Sequence, residues 1–160
     1  MDTVLEVSIK SQQFGTFLSL DGTGVSTSNA NGVGAAAAQT YTGPWEHLQI
    51  ENHANGTFSI LSSNFPGSYL RLDGSNLKAP KSDGGGVANC QFYTAEPAGG
   101  YEVFKFHNQS DGSKTIESLA FPGVFLRMDG NSQKRSDGLI GVVNGQWGAG
   151  PWERFIVTAL

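Results

Sequence analysis

The chain has 160 residues, of which 22 are glycine, 10 are lysine or arginine and 14 are aspartate or glutamate, giving a formal charge of −4. That length suits one domain over residues 1–160 and is short for two, and ten phenylalanines argue against disorder. Glycine at roughly twice its average usage, with no Gly-X-Y period, speaks for short strands and tight turns over a helical bundle, and the acidic balance weighs against nucleic acid or an anionic membrane as partner.

In chain order, Phe17-Leu-Ser-Leu-Asp21 reads as an alternating strand, and Asp21-Gly22 is the pair expected in a type I′ hairpin turn. Ala35 to Ala38 is too short to nucleate a helix. Gln39 then precedes Gly43-Pro-Trp45-Glu46-His-Leu48-Gln-Ile50. Next, Thr57 to Ser62 alternates, Asn64-Phe-Pro-Gly67 is a turn, and Ser68-Tyr-Leu-Arg-Leu72 alternates up to Asp73-Gly74. A further extended piece holds Leu77, a glycine-rich turn leads into Gly86 to Tyr93, and Tyr101-Glu-Val-Phe-Lys-Phe106 is another strand. The pattern returns in Phe121-Pro-Gly123, Phe125-Leu-Arg-Met-Asp129-Gly130, Gln146 and Gly150-Pro-Trp152-Glu153-Arg-Phe155.

Three markers therefore recur in one order. Phe17, Tyr69 and Phe125 open the first, at spacings of 52 and 56 residues. Gln39, Gln91 and Gln146 form the second, with Asn89 and Asn144 two residues ahead of the latter pair. Trp45-Glu46, Tyr101-Glu102 and Trp152-Glu153 form the third. The chain is a threefold internal repeat, roughly 7–52, 58–108 and 114–160, with four short strands in each unit. Such repetition calls for a closed all-β architecture that hides its strand edges, and a β-trefoil fits it. A β-sandwich gives no reason for the number three. Leu18, Leu70 and Leu126 are expected as equivalent core residues, and so are Leu48, Phe104 and Phe155.

These units resemble those of the fascin-like β-trefoil group, and the Gly-Pro-Trp-Glu step is similar to the Trp-Glu pair of trefoil modules that bind β-glucans. The resemblance implies a multivalent, non-catalytic binder of β-1,3- or β-1,6-linked glucan. It places one sugar site per repeat, at Trp45 with Glu46, Tyr101 with Glu102, and Trp152 with Glu153. The middle repeat departs from the motif, with Tyr for Trp, no proline, and ten positions from Gln91 to Tyr101 where Gln39 to Trp45 spans six. Strand parity puts Leu48 and Ile50 inward and Trp45 on the outer face, where an indole suits a pyranose C–H face. The same parity turns Glu46, Glu102 and Glu153 inward, so each carboxylate is equally suited to accepting backbone N–H groups.

Arg71 and Arg127 lie on a face read as solvated, within reach of a ligand hydroxyl, and Trp147 shares a repeat position with Phe92 that suits core or rim packing or a secondary stacking role. His47, His53 and His107 share no metal-ligand spacing, and no cofactor pattern is present. Cys90, the sole cysteine, reads as a small buried hydrophobe. No apolar run approaches the ~18 residues of a membrane span. Met1 to Glu6 has the features of no secretory signal, so a cytoplasmic location or non-classical secretion is expected. Two other functions compete: a fascin-like actin-binding protein, for which no basic patch is evident, and a protease inhibitor or toxin acting through Ser82 to Gly86, which offers no anchor side chain.

Overall fold

The computed structural model describes residues 4–95, 97, 100–134 and 140–160. The first repeat supplies β1 (Val4–Ser11), β2 (Phe17–Asp21), β3 (Ala35–Gln39) and β4 (Leu48–Asn52). The second supplies β5 (Phe58–Ser62), β6 (Ser68–Asp73), β7 (Val87–Phe92) and β8 (Phe104–Asn108). The third supplies β9 (Lys114–Ser118), β10 (Val124–Lys134), β11 (Ile140–Trp147) and β12 (Phe155–Ala159).

Antiparallel pairing runs β1–β4–β5–β8–β9–β12 and back to β1, closing a barrel of six strands. Closure leaves these strands no free edge. The other six strands pair as β2–β3, β6–β7 and β10–β11, three hairpins that cap the barrel. The fold is a β-trefoil.

The two predicted trios fill the core at two levels. Leu18, Leu70 and Leu126 are all 0% exposed, as are Leu48, Phe104 and Phe155. Phe58 stacks flat on Phe106 with ring centroids 3.8 Å apart. Cys90 sits on β7 with no exposure, and burial pushes its thiol up to about 11.

Several local expectations are corrected. Asp-Gly does not make a two-residue hairpin turn, because β2 and β3 are joined by the long segment 22–34 and Gly22 and Gly74 lack the positive φ of a type I′ turn. Instead the Asp21 and Asp73 carboxylates accept the N–H groups of Thr23 and Ser75, each at 3.0 Å. The glycine is needed for close approach: a Cβ on Gly22 would lie 2.6 Å from the Phe65 Cβ, and one on Gly130 would lie 2.5 Å from that of Phe14. Leu77 is a buried loop residue outside any strand. The strand expected from Tyr101 begins only at Phe104.

Candidate functional site

Each junction between consecutive repeats is built in one way. The Ser62 hydroxyl on β5 accepts the Phe65 N–H at 3.0 Å and holds the Phe65-Pro-Gly67 turn; Ser11 and Ser118 do the same for Phe14 and Phe121, both at 3.1 Å. The His47 carbonyl accepts the Ser63 N–H, that of Val103 the Leu119 N–H, and that of Arg154 the Gln12 N–H, all at 3.0 Å. The sequence carried a signal for this framework in the serine three residues before Phe14, Phe65 and Phe121, which the marker comparison passed over.

The half-buried aromatics of the third marker lie over these turns. Trp45 packs on Phe65 of the next repeat at 5.9 Å between centroids, Tyr101 on Phe121 at 4.9 Å, and Trp152 on Phe14 at 5.1 Å. The three contacts form a ring around the molecule. Pro44–Glu46 and Pro151–Glu153 are 3₁₀ turns, so the strand parity used for Trp45 and Glu46 starts only beyond them. Glu46, Glu102 and Glu153 are nonetheless buried, at 3%, 4% and 4% exposure.

The turns explain that burial. Glu46 accepts the Gly43 N–H at 2.7 Å and Glu153 the Gly150 N–H at 2.6 Å, each closing its own turn. Without proline, the middle repeat uses another donor: the Tyr93 hydroxyl bonds Glu102 at 2.6 Å. Desolvation holds the carboxyls of Glu102 and Glu153 above the ordinary range, opposed by these hydrogen bonds and by Arg71 and Arg127 respectively. Burial, then Glu102, pushes Tyr93 up to about 12.

Arg71 and Arg127 are not solvated, at 4% and 2% exposure. The Arg71 guanidinium lies over the Tyr101 ring at 4.8 Å and that of Arg127 over Trp152 at 4.6 Å. Above them, the loop of the preceding repeat closes as a clasp. Gln91 accepts the Asn29 N–H at 2.9 Å and donates to the Asn29 carbonyl, while Asn89 donates to the Asn31 carbonyl at 3.0 Å. One repeat on, Gln146 accepts from and donates to Lys81, Asn144 donates to the Asp83 carbonyl, and Arg127 reaches Asn144 at 3.2 Å. The recurring Gln and Asn are thus fasteners between repeats. Ser19 stands where the other repeats have Arg, so no guanidinium covers the Trp45 ring from that position.

Trp147 is 37% exposed and lies against Gly123, where an added Cβ would meet its ring at 3.0 Å. Phe92 covers Gly67 in the same way. His53 Nε2 lies 2.7 Å from the Ser59 hydroxyl, a spacing seen in activated nucleophiles. Here Ser59 is fully buried and donates its proton to the Glu102 carbonyl at 2.6 Å, so the imidazole is the donor to Ser59 and the pair is structural.

The first junction opens into a groove of about 330 Å³ lined by Gly43, Pro44, His47, Ser63 and Asn64; Trp45, next to Pro44 in the chain, is not part of that lining. Sequence reasoning missed the last three as candidates. At the equivalent positions the second junction has Val103, Leu119 and Ala120, and the third has Arg154, Gln12 and Gln13. The three aromatic-Glu pairs therefore form three separate stations, with aromatic rings partly open and carboxylates turned inward.

No protein-family model matches the chain, and no curated protein sequence does. Among solved structures, the designed threefold-symmetric protein ThreeFoil is similar at 13% identity and a TM-score of 0.71, covering 97% of this chain and 99% of its own. SeviL, bound to the asialo-GM1 saccharide, is similar at 9% identity and a TM-score of 0.64, covering 97% of each chain. The BEL β-trefoil is similar at 13% identity and a TM-score of 0.59, covering 98% of this chain and 93% of its own. At these identities the likeness is one of fold.

Proposed function

We propose that this trefoil binds carbohydrate without acting on it, through shallow grooves at the repeat junctions. The observation that carries the reading is the first groove, where His47, Ser63 and Asn64 offer hydrogen-bonding groups, with the half-buried Trp45 adjoining its wall residue Pro44 in the chain. A ring that presents a C–H face to indole and hydroxyls to such side chains matches a pyranose. The ligand is a neutral β-1,3- or β-1,6-linked glucan, as the Trp-Glu resemblance implies. SeviL, with the same fold, holds a saccharide.

Glu46 and Glu153 orient their aromatics, since their carboxylates close the turns that carry Trp45 and Trp152. The second junction contributes least, because Val103, Leu119 and Ala120 replace its polar wall. Several weak sites on one polymer gain by effective concentration, often by about 10².

Affinity electrophoresis in a β-1,3/β-1,6-glucan gel tests this. Retardation is expected for the parent, is lost in the Trp45→Ala/Trp152→Ala double variant, and is kept by Tyr101→Ala. Unchanged retardation in the double variant, or release of reducing sugar by the pure protein, overturns the proposal.

A further inference from the structure

The second junction departs from its counterparts in a way that glucan binding does not use. Between the segment after β6 and the Phe121-Pro122 turn lies a groove of about 400 Å³ whose walls include Leu77, Phe121, Val124 and Trp147. The size falls within the range of pockets that take small organic ligands. Its lining includes no carboxylate, and Lys78, which is exposed, is its charged residue.

The asymmetry has a residue-level cause. The glycine after each repeat's Asp faces the first residue beyond the next Phe-Gly or Phe-Pro-Gly turn. Beneath the surface, Gly22 meets the buried Ser68 hydroxyl and Gly130 the buried Thr16 hydroxyl, whereas Gly74 meets the methyl groups of the buried Val124, which make an apolar floor. Across the groove, Trp147 stands where the first repeat has Thr40 and the second Phe92, and offers its partly exposed indole. In the lining of this groove Ser75 is the hydroxyl-bearing residue, and the larger indole of Trp147 takes the place that Phe92 holds in the second repeat.

We infer that this groove is a binding site for a planar apolar acid, its ring system against Trp147, Phe121 and Val124 and its anionic group at Lys78. Apolar burial supplies the affinity, and the single cation selects the sign of the headgroup. Ser75 and Lys78 are the polar side chains among mostly apolar walls, so this ligand class is distinct from that of the polar first groove.

Isothermal titration with 2-naphthoate tests the inference, with the neutral 2-naphthalenemethanol and the cationic 2-naphthylmethylammonium as comparison probes. One molecule of 2-naphthoate is expected per chain, weakened at least tenfold by Trp147→Ala and by Val124→Ser, which installs the residue of the sister junction. Lys78→Glu should weaken 2-naphthoate at least fivefold and leave 2-naphthalenemethanol unchanged, in a folded protein with a surface change only. Circular dichroism melting checks that each variant is folded. Absence of 2-naphthoate binding, binding untouched by Trp147→Ala in a folded protein, or equal affinity for the three headgroups would each overturn it.

Discussion

Replacing Gln91 by alanine separates the clasp from mere surface decoration. The Gln91 amide oxygen takes the N–H groups of Asn29 at 2.9 Å and Phe92 at 3.0 Å, and its nitrogen serves the Asn29 carbonyl. The residue is 8% exposed, so water only partly replaces these bonds. Three bonds at about 1 kcal/mol each, less about 1 kcal/mol of side-chain entropy regained by truncation, leave a loss of about 2 kcal/mol. For a chain of this size that is a fall in Tm of about 4–8 °C. Gln146 makes the equivalent bonds to Lys81 and Trp147 but is more open to water, so Gln146→Ala should cost about 1 kcal/mol. Gln91→Glu keeps both acceptances and sets a carboxylate against the Asn29 carbonyl, so at neutral pH it should destabilise at least as much as alanine. Urea unfolding followed by tryptophan fluorescence and circular dichroism measures all three. Gln91→Ala within about 0.5 kcal/mol of the parent, or Gln146→Ala costing more, would refute the account of the Gln as a fastener between repeats.

Two further outcomes follow from buried groups. Glu153 titrates above its ordinary value of 4.5 in the folded chain, so its stabilising contribution is fully present below that value and is lost as pH rises through the folded pKa. Glu153→Gln stays neutral and its amide oxygen can still accept from Gly150; denaturation at about pH 4 and about pH 7 should show a smaller loss of stability with rising pH than the parent, and equal losses would refute the sign. Cys90, fully buried with its thiol at about 11, should ignore a disulfide reagent such as DTNB in the native protein and react once urea is added, and fast reaction in the native state would contradict its placement.

The fold was legible because the core positions repeat with the markers: Leu18, Leu70 and Leu126 follow directly on Phe17, Tyr69 and Phe125. The errors share a cause, which is that alternation tells which side of a strand faces away from the core, not what covers that side. Arg71 and Arg127 do point away from the core, and the loops around Asn29 to Gly32 and Lys81 to Gly84 then close over them. No local pattern announces that covering, because it comes from the preceding repeat. The Asp-Gly pairs misled for a related reason: their glycines answer to neighbours in another repeat, as Gly22 does to Phe65 and Gly130 to Phe14, rather than to a turn. At the candidate site the aromatics were legible, whereas His47, Ser63 and Asn64 were not, because the side chains at those positions do not repeat.

That lack of repetition has a physical basis. At each junction the framework uses the backbone: the carbonyls of His47, Val103 and Arg154 accept the N–H groups of Ser63, Leu119 and Gln12. The bond asks nothing of the side chains there: those of His47 and Gln12 are exposed, whereas that of Val103 is buried. Substitution at such a position leaves the threefold scaffold intact while changing the chemistry of the groove above it. The contrast lies one step deeper, where Glu46 and Glu153 close their own turns and a residue in their place must still accept the glycine N–H. An imidazole with a hydroxyl and an amide, three aliphatic side chains, and a guanidinium with two amides are thus three answers at equivalent junction positions. A trefoil built this way keeps its symmetry where strands close the barrel and departs from it in the side chains over the junctions.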